Sequence, residues 1–262
     1  MRDFKYNRNK PIIVGLAGKA ATGKTSVAEK IVPKAKVDSG SSNIVWDHIF
    51  FALPLYELAS IKKGVIGSRQ RVRQLYGIHD TLYDLFGNSP IGDVPDYEDM
   101  VSLVQNIQSL PIEPEGLKPR TFLQKAGDSC RGYDSDCFCK WAIRKANSLY
   151  LSYIRSLSED INASPFSVIV SDVRYMNEAD AILSQENGIV ICYTASEEVR
   201  NERLFNRDGG YMTDEQANHP SEMEIDQISQ ISNATINTDD LTVDDQTLFT
   251  LDYVNSLVGA YA

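Results

Sequence analysis

The sequence predicts an α/β fold in which a parallel sheet is covered by helices on both faces. Three observations predict it. Two short, almost uninterrupted apolar runs, PIIVGLA at 11–17 and FSVIV at 166–170, read as buried strands. Strand-like runs alternate with helix-like stretches along the chain, which is the pattern of a parallel sheet. Finally, the turn after the first run, GKAATGKT at 18–25, fits G-x-x-x-x-G-K-[ST] at every fixed position.

That turn lies between a predicted strand and a predicted helix, Lys24 to Val32, which Pro33 is expected to close. A strand, a glycine-bearing turn and a helix N-terminus gather backbone N–H groups around one point, where the helix dipole also favours an anion. Gly18 and Gly23 permit conformations and close approaches that a β-carbon would hinder. Lys24 supplies a point charge for β- and γ-phosphates, and the Thr25 hydroxyl is a ligand for Mg²⁺. A chance match would lack this strand–turn–helix setting. The expectation is a P-loop NTPase fold binding ATP through Gly18, Ala20, Ala21, Thr22, Gly23, Lys24, Thr25 and Ser26.

Composition narrows the class. The chain has 262 residues, enough for one large α/β domain with a real core, and 42% of them are hydrophobic, as in an ordered globule. A net charge of −10 argues against a nucleic-acid-binding face, which needs clustered Lys and Arg. It leaves room for a small anionic substrate in a local basic pocket. The four cysteines, Cys130, Cys137, Cys139 and Cys192, lack zinc-site spacing and read as buried, reduced thiols. With no apolar h-region in the polar first ten residues and no run long enough for a membrane span, a cytoplasmic protein is expected.

The other elements follow in order. A polar loop at 34–43 leads to a strand at Ile44 to Phe51 and a helix at Leu53 to Lys63, with Pro54 in its first turn. Helical stretches are expected at Ser68 to Phe86, Tyr97 to Leu110, Arg120 to about Arg131, and about Asp136 to Ile161. After the strand at 166–170, a helix at Asn177 to Glu186 stops at Gly188, and a strand runs from Ile189 to Tyr193. A charged helix at Glu197 to Asn206 meets Gly209-Gly210. Thr213 to Ile228 is partly helical with a break at Pro220, and a strand at Ala234 to Ile236 and a helix at Asp244 to Val258 end the chain. One domain is expected, with a polar tail at 1–10, a helical acceptor-side insertion at about 64–165 and a lid at about 200–213.

Two further groups carry chemistry. Asp172 closes an apolar strand, where a magnesium-organising carboxylate belongs, and Arg174 follows two residues later. Ligands of open α/β sheets bind at the carboxyl ends of the strands, which sets this pair beside the turn. Arg200, Arg203 and Arg207 share one helix face just before Gly209-Gly210. A solvated charged face with Glu197, Glu198 and Glu202 is the plain reading. A mobile lid carrying arginines over transferring phosphates is the reading favoured.

Four segments of the chain resemble the phage-type deoxynucleoside monophosphate kinases of the adenylate-kinase-like superfamily. They are GLAGKAATGKTSVAEKI, FALPLYELA (51–59), FLQKAGDSCRGYDSDCFCKWAI (122–143) and SDVRYMNEADAI (171–182), with His219-Pro220-Ser221-Glu222 as a further match. Leu53 and Tyr56 depart from the Asp and Lys common in that family, and 61–115 matches nothing in it. The resemblance implies a five-stranded parallel core with a lid, and ATP-dependent phosphorylation of a deoxynucleoside monophosphate. Lys24, Arg203, Arg207 and Asp172 would then be catalytic, with Mg²⁺ on Thr25 and Asp172. Arg174, with Arg131, Arg120 and Gln124, would hold the acceptor. Other kinases of the superfamily, of dephospho-coenzyme A or shikimate type, share loop and lid. A nucleotide switch is disfavoured, because N-K-x-D is missing and Val173 stands where a motor ATPase carries a second acid. Base preference and a homodimer stay open.

Overall fold

Ile12–Ala17 carries no charged residue and forms β1, all six residues buried. It is the central strand of a five-stranded sheet ordered β2-β3-β1-β4-β5, every pairing parallel. The others are β2 (Val45–Ile49), β3 (Phe166–Val173), β4 (Gly188–Thr194) and β5 (Ala234–Asn237). β1, β3 and β4 are buried on both faces and therefore read as near-continuous apolar runs. The edge strand β2 is mixed, and Asp47 and His48 on it are half-buried. The register sets Ala17 opposite Val173 on one side and Cys192 on the other, so the chain leaves β1 between Arg174 and Tyr193.

The computed structural model describes residues 6–37, 44–64, 68–87, 95–114, 118–157 and 164–259. Within these the chain divides into two compact units, Met1–Phe50 with Ala142–Ala262, and Phe51–Trp141. The first unit holds the sheet. α1 (Lys24–Val37) packs Val27, Ala28 and Ile31 onto Ile12, Val14 and Leu16. Each such buried aliphatic side chain contributes about 1.5–3 kcal/mol of transfer free energy.

The second unit is helical. It contains α2 (Leu53–Lys63), α3 (Ser68–Phe86), α4 (Tyr97–Ser109), α5 (Arg120–Tyr133) and the start of α6 (Cys137–Ser156). Asp96 caps α4 by accepting the Asp99 N–H at 2.9 Å. Lys62 Nζ closes the other end, donating to the carbonyls of Ile107 (3.2 Å), Gln108 (2.8 Å) and Leu110. Leu58, Ile78, Leu82, Leu85 and Phe122 are fully buried in this unit.

After β3 the first unit continues with α7 (Met176–Leu183), α8 (Glu197–Asp208), α9 (Asp214–Ala217), α10 (Pro220–Met223), α11 (Ile225–Ile231) and α12 (Val243–Gly259). Several boundaries differ from the sequence reading. α1 does not stop at Pro33. A proline inside a helix removes one N–H bond and crowds the carbonyl four residues back, and the packing of Val27, Ala28 and Ile31 offsets that cost. Gly188 opens β4 and does not merely end a helix. α6 ends at Ser156, while Ile161 lies outside the described residues. The helical unit is 51–141, not 64–165, because α2 packs against α3 and α5, and the later part of α6 goes with the sheet.

All four cysteines are described, all are buried, and none forms a disulfide. Burial pushes the thiol of Cys130 up to about 12 and that of Cys192 to about 11. Among the described residues no helix is long and apolar enough to cross a membrane.

Candidate functional site

The turn from Gly18 to Gly23 is bent into a shape that few side chains tolerate. Gly18 has φ +148° and Gly23 φ +98°, and Ala21 takes φ +63° without being glycine. A β-carbon on Gly18 would stand 2.4 Å from the Tyr193 carbonyl oxygen and 2.7 Å from Thr22 Oγ1. Ala21 pays about 1–2 kcal/mol for its left-handed conformation, a strain that the surrounding contacts must hold. Behind Gly23 lies Gln246 of α12, whose buried Oε1 has no hydrogen-bond partner among the described residues.

Lys24 begins α1 but turns back over the loop. It is 5% exposed, and Nζ donates to the carbonyls of Gly18 (2.5 Å) and Lys19 (2.8 Å) and to Thr22 Oγ1 (3.2 Å). Burial, followed by the charge of Arg174, lowers its pKa to about 7, against the pull of Glu222 and Asp172. Thr25 and Ser26, the next two residues, are exposed. An ammonium poised near neutrality beside open hydroxyls suits an incoming anion.

On the other side of β1, β3 extends through Val173, so Asp172 is its second-last residue and Arg174 lies just past it. The Arg174 backbone N–H donates to Glu178 Oε2 at 2.8 Å, and its Nη1 donates to Glu222 Oε1. Glu222 Oε2 in turn accepts the Ala20 N–H at 2.9 Å. Burial alone would raise the Glu222 pKa, but the Arg174 charge, the Ala20 N–H and the Lys24 charge hold it below the usual carboxylate range. Two further acids of the same segment grip the site. Glu224 Oε2 accepts the Met176 N–H at 2.7 Å, and Asp226 lies 3.2 Å from Lys19 Nζ. The Asp172 carboxylate raises the pKa of Lys24, His48 and Arg174 alike, so its charge acts on all three.

The three arginines of α8 have separate fates. Arg203 Nη1 reaches Thr238 Oγ1 (3.1 Å) and the Ala21 carbonyl (3.4 Å), and Nη2 reaches the Thr238 carbonyl (2.6 Å). Thr238, just after β5, is fully buried and also donates to the Thr22 carbonyl at 3.4 Å. Arg207 is exposed and makes two hydrogen bonds to Asp208, at 2.8 and 2.7 Å. Arg200 keeps its Nε buried without a hydrogen-bond partner among the described residues. The structure therefore brings Lys24, Asp172, Arg174 and Arg203 around the turn. Arg120, Gln124 and Arg131 lie on one face of α5 in the helical unit, with the Arg131 guanidinium 4.7 Å above the Phe138 ring.

Glu222, Glu224, Thr238 and Gln246 were missed as site residues by reading the sequence, apart from the place of Glu222 in a short matching segment. They lie about 200 residues from the turn, and no local pattern links them to it. Among the described residues no group of three or more His, Cys, Asp or Glu is arranged to hold a metal. The hydroxyl of Thr25 and the carboxylate of Asp172 are hard oxygen donors of the kind Mg²⁺ takes one or two at a time, alongside phosphates and water.

No family model matches this sequence, and no curated protein matches it. Among solved structures, TT1252 from Thermus thermophilus is similar at a TM-score of 0.41 and 16% identity, over 94% of this chain and 98% of that one. What the fold defines is a class, an α/β protein with a five-stranded parallel sheet flanked by helices.

Proposed function

We propose that this chain transfers the γ-phosphoryl group of ATP to a deoxynucleoside 5′-monophosphate, giving the diphosphate. The observation that carries the proposal is the meeting of the Lys24-bearing loop and Arg174 at the carboxyl ends of β1 and β3, with Glu222 bonded to both Ala20 of the loop and Arg174. Phosphoryl transfer asks for little covalent chemistry. It requires two anions in line, neutralised charge and exclusion of water. In this reading 18–26 is a phosphate loop whose backbone N–H groups and Lys24 receive the donor. Thr25 and Asp172 would hold Mg²⁺, which would supply positive charge against that of the phosphates. Arg174 receives the acceptor phosphate. Arg203 steadies the loop through Ala21, and Arg207 reaches the transferring group when α8 closes over it.

A second reading, a kinase for a hydroxyl acceptor of dephospho-coenzyme A or shikimate type, is favoured by His48. Its Nε2 lies 2.7 Å from Ser171 Oγ, and burial lowers its pKa against the charges of Asp172, Glu29 and Asp47. A neutral imidazole there could take a proton from an alcohol, which a phosphate acceptor does not require. The test is a panel of deoxynucleoside and ribonucleoside monophosphates, dephospho-coenzyme A and shikimate with ATP and Mg²⁺. Diphosphate formed from the deoxynucleotides alone supports the first reading. Transfer to an alcohol acceptor replaces it with the second.

A further inference from the structure

We propose that Glu222 is the positioning residue of this site: its buried carboxylate sets the Arg174 guanidinium and the Ala20 part of the loop in one register. The inference rests on the kinase reading above and deepens it. Glu222 is 6% exposed and uses one oxygen for each neighbour, Oε2 for the Ala20 N–H and Oε1 for Arg174 Nη1. Arg174 is thus held at both ends, its backbone by Glu178 and its guanidinium by Glu222. Among the described residues its side chain donates only through Nη1, which leaves the Nη2 and Nε groups for a ligand. A free arginine must surrender rotamer entropy to grip a phosphate. Here the carboxylate has already ordered it. Because the same carboxylate also holds the loop, the donor and acceptor phosphates would be aligned by one group, and small misplacements in such alignment are costly to rate.

The segment that carries Glu222 makes this a clasp and not a lone contact. Residues 222, 224 and 226 alternate along one stretch, and each binds a different part of the site. Glu222 takes Ala20 and Arg174, Glu224 takes the first N–H of α7, and Asp226 takes Lys19. The stretch begins in α10, one short helix (α9) after α8, so movement of the arginine-bearing helix has a direct covalent route to both phosphate sites.

Chemistry supplies the test. Both neighbours of Glu222 are donors, whereas the amide of glutamine offers one acceptor and one donor. Glu222→Gln therefore loses one contact at constant size, and Glu222→Asp keeps the charge and both acceptor oxygens but shortens the reach. The measurement is a double-mutant cycle on kcat/KM for the deoxynucleoside monophosphate, with ATP affinity titrated separately and a thermal melt of every variant. In the native background Glu222→Gln should lower kcat/KM about tenfold, mostly through KM, and in the Arg174→Ala background by less than about twofold. ATP affinity should change by less than about threefold. Glu222→Asp should fall between native and Gln, and its own cycle with Arg174→Ala serves if the Gln variant does not fold. A loss from Glu222→Gln that persists undiminished without Arg174, or equal losses for both substrates, overturns the positioning role. If the native protein phosphorylates no acceptor, the kinase reading falls and takes this inference with it. An active native protein with indifferent Glu222 variants overturns this inference alone.

Discussion

Lys24 shows how far one buried side chain can reach. Its ammonium is fixed by three loop oxygens, and burial holds its pKa at about 7, far below the ordinary 10.5. Sign matters here. A lysine with a depressed folded pKa costs stability while it is charged, below about 7, and the cost is relieved as pH rises toward the unfolded value. Bound phosphates would favour the charged form. Binding of ATP at pH 8 should therefore take up about one proton, and at pH 6 almost none, read by calorimetry in buffers of different ionisation enthalpy. Lys24→Ala should abolish both that uptake and phosphoryl transfer, at a cost of about 2.7–4 kcal/mol or more of transition-state stabilisation. Undiminished proton uptake in the variant would assign it to another group. Arg174 is tested differently. Arg174→Ala should cost about 2–3 kcal/mol in kcat/KM for the monophosphate, about 30- to 150-fold, with ATP affinity barely moved. Arg174→Lys should recover only part, because an ammonium lacks the planar fork. The melt will drop as well, since Glu222 is left buried and uncompensated. Substrate-resolved kinetics, not stability, decides the role.

At the scale of elements, α8 is built to be a helix and to end abruptly. Ser196 caps it, Glu197 and Glu198 face the positive end of its dipole, Arg207 faces the negative end, and Gly209 closes it. Its arginines divide between two tasks. Arg203 is tied to Ala21 and Thr238, so it supports the strained part of the loop. Arg203→Ala should therefore weaken ATP binding and turnover together. Arg207 touches its neighbour Asp208 at the exposed end, and Arg207→Ala should lower turnover while ATP affinity, titrated without acceptor, stays constant. Loss of ATP affinity in Arg207→Ala would show that it supports the loop as Arg203 does.

For the whole molecule, the sheet is the rigid platform and surface charge is the adjustable term. Leu16 is fully buried on β1 one residue before the loop strand ends. Leu16→Ala should cost about 2–5 kcal/mol, seen as a lower urea midpoint at an unchanged slope. A chain of net charge −10 repels itself, so raising ionic strength from about 0.01 to 0.15 M, which shortens the screening length from roughly 30 to 8 Å, should raise Tm. A Tm that falls with salt would mean that the surface pairs Lys30–Asp244 and Lys19–Asp226 outweigh the net repulsion.

The sequence by itself determined the local features of this protein. The buried runs at 11–17 and 166–170 declare themselves because strands covered on both faces have no polar side to hide, whereas the extension of β3 to Val173 came from the structure. The loop is legible because its two glycines are required by backbone angle within six residues. The tertiary structure alone decided what meets that loop. Glu222 reaches Ala20 across 202 positions, and Arg203 reaches it across 182, through crossovers whose strand order no periodicity encodes. Pro33 was misread for the same reason, since packing against the sheet outweighs a local preference worth a few kcal/mol. Local propensity fixes elements, whereas a site assembled from the ends of several strands depends on how those elements are packed.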